Sequence, residues 1–323
     1  MFQQDRLNSE LTFFQKVKKL DYVLLFCLSI LSVVSLLVMY STDGGEILHH
    51  TKSHFIKLVT FFPLMLVISF FNIKIWHIIS YFFYFIILLL LIWVSIFGIK
   101  VSGSQRWIDL YLIVLQPSEL MKIAIILCLA KYYHRLKIDN VNSITRVLIP
   151  LIIITVPIIL VLSQPDLGTS VLIASSGLII LWLGGVKIKY FFYSFITFLI
   201  SLPFIISFLK PYQKLRILTF LDPDRDPLGA GYQIIQSKIA IGSGGFDGKG
   251  FLKGTQSYLD FLPEKHTDFI FTLFSEEFGF LGSICLLLLY AIIIIRIIQI
   301  GAISRSNFAK LFCFGFAFAI FIY

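Results

Sequence analysis

A carboxylate, Asp268, ends the polar sequence FLPEKHTD that begins at Phe261, and a long apolar run follows it. On the 3.6-residue period of a helix, four small or polar residues share the stripe of Asp268: Thr272, Ser275, Glu276 and Gly279. A polar stripe on an apolar helix should face the protein interior, because ionisable groups are costly in hydrocarbon. We therefore predict that Asp268 lies, partly desolvated, at the top of a cavity and acts as a general base. The alternative is an N-cap carboxylate.

Glu119 and Lys122, in the sequence QPSELMK, are three residues apart, which places opposite charges on one helix face. The pair is either a structural ion pair near the membrane surface or a polar floor for an anionic ligand, with Lys122 as a point charge for phosphate. Just upstream, Arg106 and Trp107 in GSQRW form a predicted outside turn with one cation and one interfacial aromatic residue.

Asp166, in the sequence QPDLGTS, precedes another apolar run. A carboxylate there favours the positive end of the helix that follows, so an N-cap is the first interpretation. A direct ligand role is the second.

The composition indicates the elements that position these residues. Of 323 residues, 58% are hydrophobic and 14% are charged, and the mean hydropathy is +0.91. These values indicate a polytopic helical membrane protein and exclude a large soluble catalytic domain. Nine apolar runs are candidate spans: 20–40, 55–71, 78–99, 120–133, 147–162, 167–183, 190–209, 269–295 and 308–323.

The net charge of +9 reflects orientation in the membrane more than a nucleic-acid partner. Lys and Arg are concentrated in the N-terminal segment and in alternate loops, which predicts a cytoplasmic N-terminus and no cleaved signal peptide. The four cysteines lie inside apolar runs, so no disulfide is predicted. Metalloprotease, ATPase and serine hydrolase motifs are absent from the sequence.

The segment 210–268 is predicted to lie outside the membrane. It contains an amphipathic stretch, 232–241, and then a run of glycines that predicts flexible turns. Such a loop suits a lid over a lipid-linked substrate with a polar head group.

Several ordered motifs together identify a resemblance: GSQRW, QPSELMK, QPDLGTS, FLDPDRDPLGAGYQIIQSKIAIGSGG, GKG, GTQS and FLPEKHTDFIF. This set, from about Lys19 to the end, strongly resembles the family of shape, elongation, division and sporulation (SEDS) proteins, its elongation branch more than its division branch. The resemblance implies a ten-helix bundle in the bacterial inner membrane, treated as one domain over residues 1–323. Helices 1–7 would occupy 19–209, the outside loop 210–268, and helix 8 with an incomplete helix 9 the segment 269–323.

The family polymerises lipid II into glycan strands and works with a class B penicillin-binding protein within the elongation machinery. The resemblance implies that Asp268 deprotonates the acceptor hydroxyl. It also implies substrate-binding roles for five residues: Arg106, Glu119, Lys122, Lys265 and His266. No cofactor is certain, and a divalent cation stays open. The rival hypotheses are a flippase for lipid-linked sugars and a scaffold that only recruits the transpeptidase.

The final apolar run, 308–323, is shorter than the roughly 20 residues of a spanning helix. The family continues with the rest of this helix, a proline-rich and Gly-Gly-Ser loop, and a tenth helix. We therefore expect a member of the family that is truncated at its C-terminus.

Overall fold

The computed structural model describes residues 13–101, 104–109, 114–136, 141–208, 211–226, 229, 231–255 and 266–323. This described part of the chain contains twelve α-helices: α1 (Phe13–Lys18), α2 (Tyr22–Thr42), α3 (His49–Ser69), α4 (Ile73–Phe97), α5 (Pro117–His134), α6 (Ile144–Ser163), α7 (Leu167–Leu183), α8 (Ile188–Phe208), α9 (Pro211–Leu221), α10 (Tyr232–Ser243), α11 (Ile270–Ile303) and α12 (Asn307–Ile322). Nine of these, α2 to α8 with α11 and α12, overlap the nine predicted apolar runs. Helices α2, α3, α4, α6 and α11 are long and apolar enough to cross a membrane.

Polar residues fix where several of the helices begin. The Asp21 side chain accepts a hydrogen bond from the backbone N–H of Leu24 (2.8 Å), and Asn72 accepts one from the N–H of Lys74 (3.0 Å). Such N-caps satisfy backbone donors that have no partner within the helix. At the start of α5, Pro117 occupies the first turn, where a missing N–H costs nothing.

The chain divides into two compact units. The first comprises Met1–Phe71 and Phe204–Ile293, and the second comprises Asn72–Pro203 and Ile294–Tyr323. The single-domain division inferred from the sequence stays a prediction.

Helix α5 forms the core of the second unit. It packs against α4, α6, α7 and α12, and its residues from Met121 to Ala130 include eight that are buried. The packing is tight around small residues, since a Cβ on Gly315 of α12 would meet Ile180 and Ile126. Small residues at helix contacts allow the close approach on which packing within a membrane depends.

A small antiparallel sheet lies between α4 and α5, where the sequence analysis predicts only a turn. Strand β1 (Ile99–Val101) pairs with β2 (Ser104–Asp109), and β2 pairs with β3 (Val114–Leu115). The β-branched and aromatic residues here favour strands once they pair. The turn interpretation of Arg106 and Trp107 is therefore corrected, because both residues lie within β2.

In the first unit, α11 is interrupted at Gly279, which has φ +64° and ψ −162°. The residues 244–254, which we term the glycine-rich loop, form backbone hydrogen bonds with α11 on both sides of this break. The N–H groups of Lys249 and Gly250 donate to the carbonyls of Glu276 and Glu277 (3.0 Å each). In return, Gly245 and Phe246 accept from Phe280 (2.9 Å) and Leu281 (3.1 Å) respectively. The loop therefore satisfies helix groups that the break leaves without intrahelical partners.

The glycines of this loop allow close packing and do not form the flexible turns that their composition predicts. A Cβ on Gly244 would meet the carbonyl oxygen of Ser275, and one on Gly248 would meet that of Glu277. Gly248 also has φ +84°, a backbone conformation that other residues rarely adopt. These glycines are needed because the two backbones touch.

We predict that Gly244→Ala destabilises the protein by about 1–3 kcal/mol, because the new methyl group overpacks the contact with α11. Gly242→Ala is the matched control, since a Cβ there has nothing within 4 Å. This control is expected to be neutral or to stabilise by up to ~1 kcal/mol. Thermal unfolding in detergent measures both variants, and equal stability of the two would contradict the close-packing role.

Candidate active site

Asp268 lies in the turn immediately before α11, and its side chain is exposed. In that turn the N–H of Ile270 donates to the carbonyl of Thr267 (3.4 Å), and the N–H of Thr272 donates to the carbonyl of Phe269 (3.0 Å). Among the described residues, Asp268 has no hydrogen-bond or ion-pair partner. The expected partial desolvation is therefore not observed at Asp268, and the N-cap alternative has no support.

The polar stripe below Asp268 is buried, as the sequence predicts. Thr272 is 5% exposed, Ser275 2% and Glu276 0%. The buried face is broader than one stripe, because Leu273 and Phe274 also pack against Val38 of α2.

Glu276 is neutralised by Lys249, which lies in the motif GKG and had no predicted role. Lys249 of the glycine-rich loop approaches Glu276 Oε1 at 2.6 Å with its Nζ, and also donates to Thr255 Oγ1 at 2.8 Å. The Thr255 hydroxyl donates to the same Glu276 oxygen at 3.0 Å. A buried charge needs such a partner, because an uncompensated carboxylate is costly in a low-dielectric interior.

The neighbouring Glu277 is also buried, and the sequence pattern gave it no role. It accepts hydrogen bonds from the Ser41 hydroxyl and from the backbone of Leu252 and Gly254. This carboxylate therefore connects the end of α2 with the glycine-rich loop. The sequence does indicate a role for Glu277, because two adjacent acidic residues are unusual and costly within an apolar helix.

His266 lies near two residues outside the predicted site, Asp43 and His50. Its Nδ1 is 4.0 Å from Asp43 Oδ1, and its ring stacks on that of His50 with centroids 3.9 Å apart. Burial raises the pKa of the Asp43 carboxyl, but hydrogen bonds from Thr51 and the charges of the two histidines outweigh this effect. The net result is a pKa below the usual value.

Arg106 of β2 pairs with Asp166 in the second unit. The two side chains are 3.4 Å apart, and the guanidinium also donates to the carbonyls of Gln164 (2.9 Å) and Pro165 (2.6 Å). Asp166 accepts from the N–H of Thr169 at 3.2 Å, which confirms it as the N-cap of α7. Arg106 thus holds the corner between α6 and α7, and this partnership was not predicted.

Glu119 and Lys122 form the ion pair that their spacing predicts, with 2.8 Å between Nζ and Oε2. The Lys122 side chain is 11% exposed and that of Glu119 is 43% exposed. The Lys122 ammonium also lies 4.2 Å from the centre of the Tyr323 ring, within cation–π range. Whether the pair also binds an anionic ligand stays a prediction.

The predicted site residues therefore fall into separate groups. His266 and Asp268 belong to the first unit, whereas Arg106, Glu119 and Lys122 belong to the second. Lys265 lies outside the described residues.

Fold and site together define a class: a multi-pass helical membrane protein in which buried carboxylates are paired or hydrogen-bonded and an exposed carboxylate precedes a long apolar helix. A family profile described as "Cell cycle protein", which groups FtsW, RodA and SpoVE, matches residues 17–323. The chain therefore belongs to this family, which is the SEDS family of the sequence resemblance.

Two named relatives are similar over most of the chain. The peptidoglycan glycosyltransferase MrdB of Escherichia coli K12 is 40% identical over 313 residues, which cover 97% of this chain and 84% of MrdB. The probable peptidoglycan glycosyltransferase FtsW of Buchnera aphidicola subsp. Baizongia pistaciae is 34% identical over 312 residues, covering 94% of this chain and 81% of that protein.

Two solved structures share the fold. One chain comes from a peptidoglycan synthase complex studied for the coordination of polymerization and crosslinking. It has a TM-score of 0.78 and 28% identity, and the match covers 93% of this chain and 83% of that chain. The rod shape determining protein RodA of Thermus thermophilus has a TM-score of 0.67 and 21% identity, with 93% and 81% covered, and supports the fold alone.

We predict that Lys249→Met destabilises the protein by about 3–5 kcal/mol, because it leaves Glu276 buried without its cation. Glu276→Gln in the same chain should recover part of this loss, and the double-mutant cycle measures the coupling. The control is Arg225→Met, which breaks an exposed pair with Asp222 of similar length (2.8 Å) and should cost less than ~1 kcal/mol. Equal losses in Lys249→Met and Arg225→Met would contradict a buried pair.

Proposed function

We propose that this protein is a peptidoglycan glycosyltransferase that polymerises lipid II into glycan strands during cell elongation, with Asp268 as its general base. Family membership and the 40% identity to MrdB support the reaction class. The position of Asp268 in the motif HTDF supports its role.

The assignment of Asp268 as the general base is supported by which carboxylates already have hydrogen-bond or ion-pair partners. Glu276 is paired with Lys249, and Glu277 and Asp43 accept hydrogen bonds from Ser41 and Thr51. Asp268 is exposed and has no partner among the described residues, so none of these occupies the carboxylate in place of a substrate. A general base must lie within hydrogen-bond reach of the proton that it removes.

In the proposed reaction, an Asp268 oxygen accepts the proton of the acceptor GlcNAc 4-hydroxyl. The acceptor oxygen then forms a bond to the anomeric carbon of the donor MurNAc. The bond from that carbon to the pyrophosphate breaks, and its electron pair leaves with undecaprenyl pyrophosphate. Base catalysis of this kind contributes roughly 10²–10⁴-fold in rate, and positioning of the two sugars contributes more.

Cations near a leaving pyrophosphate stabilise its developing charge. Arg106 and Lys122 are candidates, but each is already matched by a carboxylate, Asp166 and Glu119 respectively. Each of these ion pairs has no net charge. Its effect on the leaving pyrophosphate therefore depends on N–H groups of the arginine or lysine that donate hydrogen bonds to the phosphate oxygens. Lys265 is the third candidate and adjoins the described segment that carries Asp268.

We propose a location in the bacterial cytoplasmic membrane with a cytoplasmic N-terminus, which places segment 210–268 outside, where lipid II is polymerised. The Lys and Arg bias of the loops supports this orientation. The proposed partner is a class B penicillin-binding protein, since a structural relative belongs to a complex that coordinates polymerization with crosslinking.

A flippase needs a polar path through the depth of the membrane. The buried carboxylate that could line such a path, Glu276, is instead held by Lys249 of the glycine-rich loop and by Thr255 directly after it. This pairing favours chemistry at one membrane surface.

We predict that Asp268→Asn, purified with the partner transpeptidase, lowers lipid II polymerisation by at least ~10²-fold. Its melting temperature should not change, because Asp268 is exposed and unbonded among the described residues. Asp247→Asn is the control, since Asp247 is an exposed carboxylate of the same unit. Gel electrophoresis of the glycan products measures activity.

Polymerisation retained in Asp268→Asn would refute the general-base role. Translocation of a lipid-linked sugar by the parent protein, without polymerisation, would establish the flippase instead. A parent protein that binds the transpeptidase and does neither would be the scaffold.

A further inference from the structure

Three potential metal ligands meet beside the segment that carries Asp268. Asp43 follows α2, His50 lies in the first turn of α3, and His266 precedes α11. One ligand atom from each side chain lies within 4.8 Å of the others. All three residues belong to the first unit. No role follows for Asp43 or His50 from the proposed glycosyl transfer.

The Asp43 carboxylate is oriented by Thr51. Its Oδ2 accepts hydrogen bonds from the Thr51 N–H (2.8 Å) and the Thr51 hydroxyl (2.6 Å), and the carboxylate is 2% exposed. Oδ1 faces His266 Nδ1 at 4.0 Å, which is too long for a hydrogen bond. Metal-binding carboxylates are typically held in this way, with one oxygen fixed by outer hydrogen bonds and the other directed at the ion.

The two imidazoles are stacked face to face. Their rings are 3.9 Å apart at the centroids and nearly parallel, with an angle of 11° between planes. Two protonated imidazoles at this separation repel each other, whereas two neutral ones each present a nitrogen lone pair. His50 is exposed, so an ion can reach the cluster from solvent.

We propose that Asp43, His50 and His266 bind a divalent first-row transition metal ion, for which Zn²⁺ is the best match. Two imidazoles and one carboxylate suit such ions, whereas Mg²⁺ and Ca²⁺ prefer oxygen ligands. Zn²⁺ binds these groups at about 2.0–2.2 Å and so holds ligand atoms roughly 3–3.5 Å apart. The ligand atoms lie within 4.8 Å of one another and the two ring planes are nearly parallel, so binding requires the imidazoles to rotate out of their stack and toward the ion.

The proposed ion adds a function to the fold that does not depend on glycosyl transfer. It joins the α2–α3 connection to the chain just before α11, and His266 is two residues from Asp268. Three protein ligands also leave coordination positions open to water or to another oxygen ligand.

A second histidine pair in the described residues, His77 and His134, is a weaker candidate. The rings are 5.1 Å apart, but His134 Nδ1 already accepts a hydrogen bond from the N–H of Phe308 (3.1 Å). Neither ring belongs to a cluster of three potential ligands among the described residues. His77 therefore serves as a control position.

The test is a Zn²⁺ titration of the full chain in detergent, without a histidine tag and after removal of metal with EDTA. We expect one Zn²⁺ per chain by calorimetry and a rise in melting temperature of about 3 °C or more at saturation. Co²⁺ in place of Zn²⁺ should give the visible absorption bands of a nitrogen- and oxygen-bound ion. A large excess of Mg²⁺ should not displace Zn²⁺.

The variants Asp43→Asn, His50→Ala and His266→Ala should each lower the Zn²⁺ affinity by at least ~10-fold, and Thr51→Val should do so through the orientation of Asp43. His49→Ala and His77→Ala should bind Zn²⁺ as the parent does. The parent binding no Zn²⁺ at millimolar concentration would overturn the proposal, as would loss of the ion in His77→Ala. Failure of Asp268→Asn to lose polymerisation would leave the Zn²⁺ result unaffected, so the two proposals are tested separately.

Discussion

The hydrogen bonds across the break in α11 are the constraint on which the polar part of the first unit depends. Because Gly279 leaves the helical conformation, carbonyls and N–H groups on both sides of it need other partners, and the glycine-rich loop supplies them. Only residues without a Cβ permit this approach at Gly244 and Gly248. The same contact places Lys249 beside Glu276, so the buried ion pair depends on the hydrogen bonds across the break in α11.

Charged side chains of the second unit are also matched by an opposite charge. Arg106 meets Asp166, and Lys122 meets Glu119, so the few charges beside the apolar helices are neutralised locally. Asp268 differs from all of these because it is solvent-exposed and unpaired among the described residues. Asp247 is also exposed, so the place of Asp268 in the HTDF motif, directly before α11, is what supports its role in the proposed reaction.

Local features of the sequence predicted local structure well. The apolar runs located the spanning helices, the three-residue spacing gave the Glu119–Lys122 pair, and Asp166 was recognised as an N-cap because its partner Thr169 is in the same turn. Partnerships between distant segments were missed. Arg106 and Asp166 are 60 positions apart, and nothing in either motif specifies the other.

The glycine-rich loop shows a second limit of the sequence. Glycine is favoured both where a chain must turn freely and where two backbones must touch, so composition alone does not distinguish these causes. Lys249 belongs to the motif GKG but was assigned no role, because its partner Glu276 is found only once the loop is placed on α11. Asp43, His50 and His266 likewise became a cluster only when the α2–α3 connection met the residues before α11.

The burial of α5 has a consequence for how the protein enters its membrane. This helix is surrounded by α4, α6, α7 and α12, and it is not among the five described helices that are apolar enough to cross a membrane by composition. Glu119, Lys122 and Lys131 each disfavour its partition from the insertion machinery into lipid on its own. We therefore expect α5 to enter the membrane together with neighbouring helices that cover its charges.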